Sequence, residues 1–214
     1  MKKRLHNKKA GIAILVALII ISLAEVIFRA TAMGLEAVLT TTNLGEQLAV
    51  IALAVTILIL TAKGKDRACY ICYGAWIAYF VLDQLFEIPG MFANLLANIS
   101  NPVITLSIVI RLLTMISIVV IGALLVEYMN DGTIYNRAFN ALCITTIALL
   151  AVSLLWAIYQ LAFASIEGAQ NIVFKKQNVL VVFNDVYRIT MIFLFTFFAY
   201  DSAKAQLKKT KLSK

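Results

Sequence analysis

The sequence predicts an all-α, polytopic membrane protein, a bundle of six transmembrane helices with both termini in the cytoplasm. Three observations predict this: the composition, the length of the apolar segments and the placement of the basic residues. Of 214 residues, 62% are hydrophobic and 14% are charged. A soluble domain is nearer half apolar and a quarter charged. The roughly ten-residue alternation of barrel strands does not occur, so the segments are expected to be helices.

Six apolar segments are long enough to cross most or all of a hydrocarbon core about 30 Å thick. In chain order they cover residues 10–24, 47–62, 68–86, 103–126, 139–165 and 178–201. The first follows a basic leader and resembles a signal peptide. Because Glu25 and Arg29 interrupt the approach to a small-residue cleavage site, we expect an uncleaved helix instead.

The segments between the spans contain turn and loop signals. Lys63–Arg67 is predicted as a short basic loop, and Asn101 with Pro102 is predicted to begin the fourth helix, where a missing N–H is harmless. Ile88-Pro89-Gly90 is expected to end the third helix. After it, residues 91–99 are predicted as a separate amphipathic helix at the outer interface. Residues 127–137 and 167–177 are predicted as a cytoplasmic turn and an outer loop.

The basic residues predict the orientation. Residues 1–9 form a basic leader, residues 10–203 a single transmembrane domain, and residues 204–214 a basic tail. On this topology, fourteen of the 19 Lys and Arg residues lie in cytoplasmic segments, as the positive-inside rule requires. We therefore assign the net charge of +8 to the membrane flanks and not to nucleic-acid binding. The predicted location is the cytoplasmic (inner) membrane of a bacterium.

Charged side chains occur inside four of the predicted spans, at similar depth. At a rise of about 1.5 Å per residue, Glu25 and Asp83 lie roughly 22 Å from the cytoplasmic ends of their helices. Arg111 lies about 12 Å below the outer end of its helix. A charge in hydrocarbon costs several kcal/mol unless it is paired or faces a protected cavity. We therefore predict one charged layer in the outer leaflet, made of Glu25, Arg29, Asp83, Glu87, Arg111, Asp185 and Arg188.

Two roles for the charged layer remain open from sequence. Its members can be structural ion pairs that fix helix register, or they can line a polar chamber that binds a small solute or passes an ion. Misplaced helix ends, with some of these charges in solvent, are a third explanation. Arg111 is the partner that we expect for Asp83. Glu25 and Arg29 are four residues apart and are expected to pair within their own helix.

Polar residues at helical spacing indicate which faces turn inward. Ser107, Arg111 and Thr114 lie on one stripe of the fourth span, and Thr146, Ser153 and Gln160 repeat every seven residues on the fifth. Such stripes are more often helix–helix contacts than the lining of a pathway. The spacing alone does not separate the two roles.

Catalytic motifs are sparse in this sequence. Cys69 and Cys72 form a CxxC at the predicted cytoplasmic end of the third span, where the compartment keeps thiols reduced. His6 is the single histidine, which excludes bis-histidine haem, and zinc-protease or rhomboid-like serine chemistry is unsupported because no second histidine and no GxSG motif occur. No phosphate-binding or dinucleotide-binding glycine motif is present. We expect no enzymatic activity, no metal and no cofactor, and we expect a redox role for the CxxC only as a weak alternative.

Two functions are consistent with these features. The first is a non-catalytic subunit of a larger membrane assembly that transports a solute, ion or protein, with other membrane subunits or further copies of itself as partners. The second is a self-sufficient solute-binding or channel protein whose site is the charged layer. Substitution of Arg111 or Arg188 should abolish ligand binding in the second case and only destabilise or disassemble the protein in the first.

Overall fold

The computed structural model describes residues 8–33, 42–131, 137–164 and 172–212, which form six α-helices. In chain order the helices are α1 Lys8–Met33, α2 Thr42–Ala62, α3 Asp66–Ala97, α4 Pro102–Asp131, α5 Arg137–Ala164 and α6 Ile172–Leu212. Within these ranges no residue is in a β-strand. The predicted all-α class is therefore confirmed.

The helices close into a ring in chain order. Each packs against its neighbour in the sequence, and α6 packs back against α1. α6 also contacts α3 and α4. At roughly 100° per residue, the buried side chains of this helix cover more than half of its circumference. These buried residues are Met191, Ile192, Leu194, Phe195, Phe197 and Phe198. The charged side chains of α6 are thereby directed at several neighbouring helices at once.

Aromatic side chains connect α3 to α6. Phe80 makes edge-to-face contacts with Tyr187 and Phe195, at centroid distances of 5.8 and 5.9 Å. Tyr73 packs against Phe197 and Phe198, at 5.9 and 6.3 Å. Aromatic pairs of this kind add about 0.5–1.5 kcal/mol each beyond their buried area. They fix α6 against α3.

Two short turns fix α3 between its neighbours. Gly64, with a φ of 66°, ends α2 in a Schellman motif, in which Lys65 N–H bonds Leu60 O at 2.9 Å and Gly64 N–H bonds Thr61 O at 3.1 Å. At the other end of α3, Asn101 caps α4 by accepting a hydrogen bond from the Ile104 N–H at 3.3 Å. Pro102 is the first helical residue, as predicted.

Among the described residues, five helices are long and apolar enough to cross a membrane, which indicates a multi-pass membrane protein. They are Lys9–Ala32, Asp66–Ala97, Ile104–Leu125, Arg137–Ala162 and Val179–Ala199. The apolar part of α2, Gln47–Ala62, is shorter, and it rises about 24 Å. Large apolar side chains such as Ile27, Ile71 and Phe86 are exposed on the outer faces of the bundle. Such a surface is suited to lipid.

The predicted break at Pro89 is wrong. α3 continues through Pro89 to Ala97, so residues 91–97 are part of the same helix and not a separate interfacial one. A proline inside a helix removes one backbone hydrogen bond, a loss that transmembrane helices tolerate where neighbouring groups compensate. At about 48 Å, α3 is longer than the hydrocarbon core.

Three other predicted boundaries also differ from the structure. α4 extends to Asp131, into the predicted 127–137 turn, and α6 begins at Ile172, inside the predicted 167–177 loop. The basic tail is helical as far as Leu212. Good helix-forming residues such as Lys, Gln and Ala continue a helix beyond the apolar stretch that sequence hydropathy detects. Most of the predicted leader, including His6, lies outside the described residues.

Replacement of Gly122 by alanine should destabilise the protein. An added Cβ would lie 2.5 Å from Val81 Cγ2, and a β-branched side chain has few rotamers with which to move away. We expect a loss of about 1–3 kcal/mol, measured as a lower thermal unfolding midpoint in detergent. Gly74→Ala is the matched control, because no atom lies within 4 Å of the Cβ that it adds. Equal midpoints for the two variants would contradict a tight α3–α4 contact.

Candidate functional site

The seven residues of the predicted charged layer line two adjoining cavities. A polar cavity of about 210 Å³ is lined by Glu25, Arg29, Asp83, Glu87, Arg111 and Arg188. A larger cavity of about 530 Å³ is lined by Asp185 together with Arg111 and Arg188. Arg111, Asn184 and Arg188 line both cavities and form a shared wall between them. The structure thus brings residues from α1, α3, α4 and α6 to one level of the bundle.

Both carboxylate oxygens of Glu25 accept hydrogen bonds from neighbouring side chains. Its carboxylate is 1% exposed. Oε1 accepts hydrogen bonds from Arg29 Nε and Nη2 at 2.9 and 2.6 Å, and Oε2 accepts one from Gln47 Nε2 at 2.9 Å. The pair within α1 was expected from the spacing, but the contact from Gln47 of α2 was not. A buried carboxylate with both oxygens occupied indicates a structural contact between α1 and α2.

Glu87 is held loosely by two arginines. Arg188 Nη2 lies 3.5 Å and Arg111 Nη2 lies 3.8 Å from the same oxygen, Glu87 Oε2. These distances are longer than those of charge-assisted hydrogen bonds, about 2.7–2.9 Å. The Glu87 side chain is 44% exposed. Both guanidinium groups thus retain capacity for another acceptor.

The predicted pair of Arg111 with Asp83 is wrong. The arginine contacts Glu87, one helical turn further along α3, while Asp83 Oδ2 accepts a hydrogen bond from Gln84 Nε2 at 3.0 Å. A sequence estimate of depth is accurate to about one turn at best, because helix ends and tilts are not known. The hydrogen-bond partner of Asp83 is therefore different from the ion-pair partners of Glu87.

Asp185 is a buried acid whose carboxylate is only partly hydrogen-bonded. It is 4% exposed, and Ser153 of α5 donates a hydrogen bond to its carboxylate. Its Oδ2 has no hydrogen-bond partner among the described residues. Arg111 Nε is likewise a buried donor without an acceptor in the described structure. Leaving a buried polar group unpaired costs about 1–3 kcal/mol, and more when it is charged.

The two predicted polar stripes meet at the larger cavity. Ser107, Arg111 and Thr114 all line it from α4, and Ser153 and Gln160 line it from α5. Thr146, the first member of the α5 stripe, is buried and bonds the Leu142 carbonyl at 2.7 Å instead. The remaining lining is largely apolar, including Ile104, Ile108, Trp156, Ala157 and Val181. The stripes therefore face a cavity for most of their length.

Several lining residues were missed from sequence. Gln47 and Gln84 each donate a hydrogen bond to an acid of the layer, and both are amides inside apolar segments. An amide is costly to bury without a partner, so counting amides with charges finds them. Met91, Asn94 and Asn98 line the larger cavity because α3 continues past Pro89. These residues were missed because the sequence analysis expected a helix break before them.

The cysteines lie apart from both cavities. Cys69 is fully buried, with its Sγ 3.5 Å from Thr61 Oγ1, and Cys143 is also buried. Cys69, Cys72 and Cys143 are free thiols. Among the described residues, no three His, Cys, Asp or Glu side chains are grouped as a metal site requires. Within the CxxC pair, Cys69 is therefore packed in the protein interior.

Comparison of the chain with models of known protein families, with characterised proteins and with solved structures gives no match. The function is therefore argued from the cavities and their charges.

Removing one member of the α1 pair should be more harmful than removing both. Arg29→Leu leaves Glu25 buried and without its main counterion, which should cost about 3–5 kcal/mol. The double variant Glu25→Leu with Arg29→Leu should recover most of this loss. Thermal unfolding in detergent measures both effects. Additive losses in the double variant would show that the two side chains do not act as a pair.

Proposed function

We propose that this chain is a multi-pass membrane protein that binds a small solute in the two-cavity chamber and catalyses no reaction. The single observation that supports this best is that Asp185, Arg111 and Arg188 line one cavity of about 530 Å³, while Asp185 Oδ2 and Arg111 Nε have no hydrogen-bond partner among the described residues. Charges that only fixed helix register would be expected to satisfy each other, as Glu25 and Arg29 do. The cavity volume is within the range of small-molecule sites, about 300–1,000 Å³.

The proposal includes six spans and cytoplasmic termini. The positive-inside distribution supports this orientation, with α2 as the shortest span. The α3–α4 turn then lies on the outer side. Asn98 and Ile104, next to that turn, line the larger cavity. The chamber would accordingly receive its solute from outside the cell, and the location that we propose is a bacterial cytoplasmic membrane.

The chamber favours the solute-binding alternative over a purely structural subunit. A role in a transport assembly stays a prediction from the sequence, and the two are compatible. Transport driven by nucleotide hydrolysis would require a partner subunit, because the sequence contains no phosphate-binding motif. Purification in mild detergent tests this part, since a stable partner or a second copy should copurify.

Cysteine labelling tests the proposed orientation. In a background without Cys69, Cys72 and Cys143, Ser100→Cys should react with a membrane-impermeant maleimide in intact cells. Lys65→Cys, in the turn at the other end of α3, should react only after permeabilisation. Both positions are exposed, so the side of the membrane determines the difference. The opposite labelling pattern would invert the topology, and labelling of both from one side would refute it.

Solute binding should depend on the charges of the larger cavity. We expect some members of a library of small polar solutes to raise the thermal unfolding midpoint of the protein in nanodiscs. Arg111→Gln and Asp185→Asn should each reduce the affinity for such a solute at least about tenfold, the equivalent of one charge-assisted contact. Arg67→Gln is the control, an exposed arginine near the start of α3.

Equal binding by all three variants would place the site elsewhere. If no solute in the library stabilises the wild-type protein, the solute-binding function itself is refuted.

A further inference from the structure

Side chains of opposite charge line the same cavity. Asp185 and Arg111 both line it, and each has one buried polar atom, Asp185 Oδ2 or Arg111 Nε, without a hydrogen-bond partner among the described residues. Arg188 adds a second guanidinium group to the same wall and is itself 5% exposed. A ligand that satisfies both kinds of group needs a cationic donor and an anionic acceptor in one molecule. An anion alone would leave the Asp185 carboxylate without a cationic partner, and a cation alone would leave the two guanidinium groups without a ligand.

Charge balance supports a ligand without net negative charge. Glu25 and Arg29 neutralise each other. The rest of the layer has three acids, Asp83, Glu87 and Asp185, against the two guanidinium groups of the shared wall. A simple anion would add a second uncompensated negative charge in a medium where charge is costly. A molecule carrying both charges leaves the balance unchanged.

The apolar lining adds a third requirement. Ile104, Ile108, Trp156 and Val181 line the cavity that contains Asp185. Ligand sites combine a mostly apolar wall with a few polar groups that fix orientation. An apolar body attached to the charged groups would bury these surfaces, at about 25 cal/mol per Å².

We propose that the solute is a zwitterion with an apolar body, of the α-amino-acid type. Its ammonium group would pair with the Asp185 carboxylate, its carboxylate would bind Arg111 and Arg188, and its side chain would lie against Trp156. This rests on the solute-binding function proposed above and names its substrate class.

Glu87 would act as a positioning residue in this arrangement. Its carboxylate lies 3.5 and 3.8 Å from the two guanidinium groups that would receive the ligand carboxylate. The ligand must therefore compete with Glu87. Removing the negative charge of Glu87 should strengthen binding of a carboxylate, which is an effect that misfolding cannot imitate.

Three probes with one carbon skeleton test the assignment. Calorimetry of the protein in nanodiscs compares leucine with 4-methylpentanoate, which lacks the amine, and with 3-methylbutylamine, which lacks the carboxylate. Leucine should bind at least about tenfold more tightly than either. Asp185→Asn should reduce leucine affinity to that of 4-methylpentanoate. Glu87→Gln should increase leucine affinity and leave the affinity for the amine unchanged.

Each contrary outcome has a distinct meaning. If the amine or the carboxylate alone binds as tightly as leucine, the zwitterion assignment is overturned and the solute-binding function stands. The assignment also fails if none of the three probes binds while another library solute does. If Glu87→Gln does not raise leucine affinity, the carboxylate does not bind at the two arginines. Absence of binding by every probe and every library solute overturns both proposals.

Discussion

The organising constraint in this protein is the cost of placing charge in hydrocarbon. Seven ionisable side chains fall in apolar segments, and each must face another helix or a polar cavity and not lipid. The ring of helices satisfies this requirement because α6, with Asp185 and Arg188, packs against α1, α3, α4 and α5. Exposed positions such as Ile27 and Phe86 are apolar, and the charges collect at one level inside. The packing of the whole bundle follows from where its charges can be accommodated.

The charged layer has two parts with different character. Around Glu25, both carboxylate oxygens accept hydrogen bonds, and the result resembles the buried ion pairs that specify how helices fit together. Around Asp185 and Arg111, the same kinds of groups are buried but incompletely paired. One layer thus serves two purposes. Its α1–α2 side contributes to the architecture, while its α4–α6 side retains unused hydrogen-bonding capacity.

The sequence predicts features that repeat along a helix, and it misses which individual side chains pair with each other. Helix class, the level of the charges and the inward stripe of Ser107, Arg111 and Thr114 all follow from the 3.6-residue repeat and from the cost of burying charge. The partner of Arg111 does not, because Asp83 and Glu87 are one turn apart and small differences in tilt decide between them. The continuation of α3 through Pro89 was also missed, since proline signals a break unless tertiary packing compensates. The role of the layer stays a prediction.

The contact between Val81 and Gly122 determines how α3 and α4 can move. There the Val81 side chain leaves no room for a Cβ at position 122, and the two helices are joined again by the turn at residues 98–101. The stretches that line the larger cavity, from Met91 to Asn98 and from Ile104 to Thr114, lie between those two fixed points. Two helices that are held together at both ends of a segment keep their separation along that segment. The space next to Arg111 is therefore preorganised by the fold, and a molecule that enters it need not supply the free energy to open it.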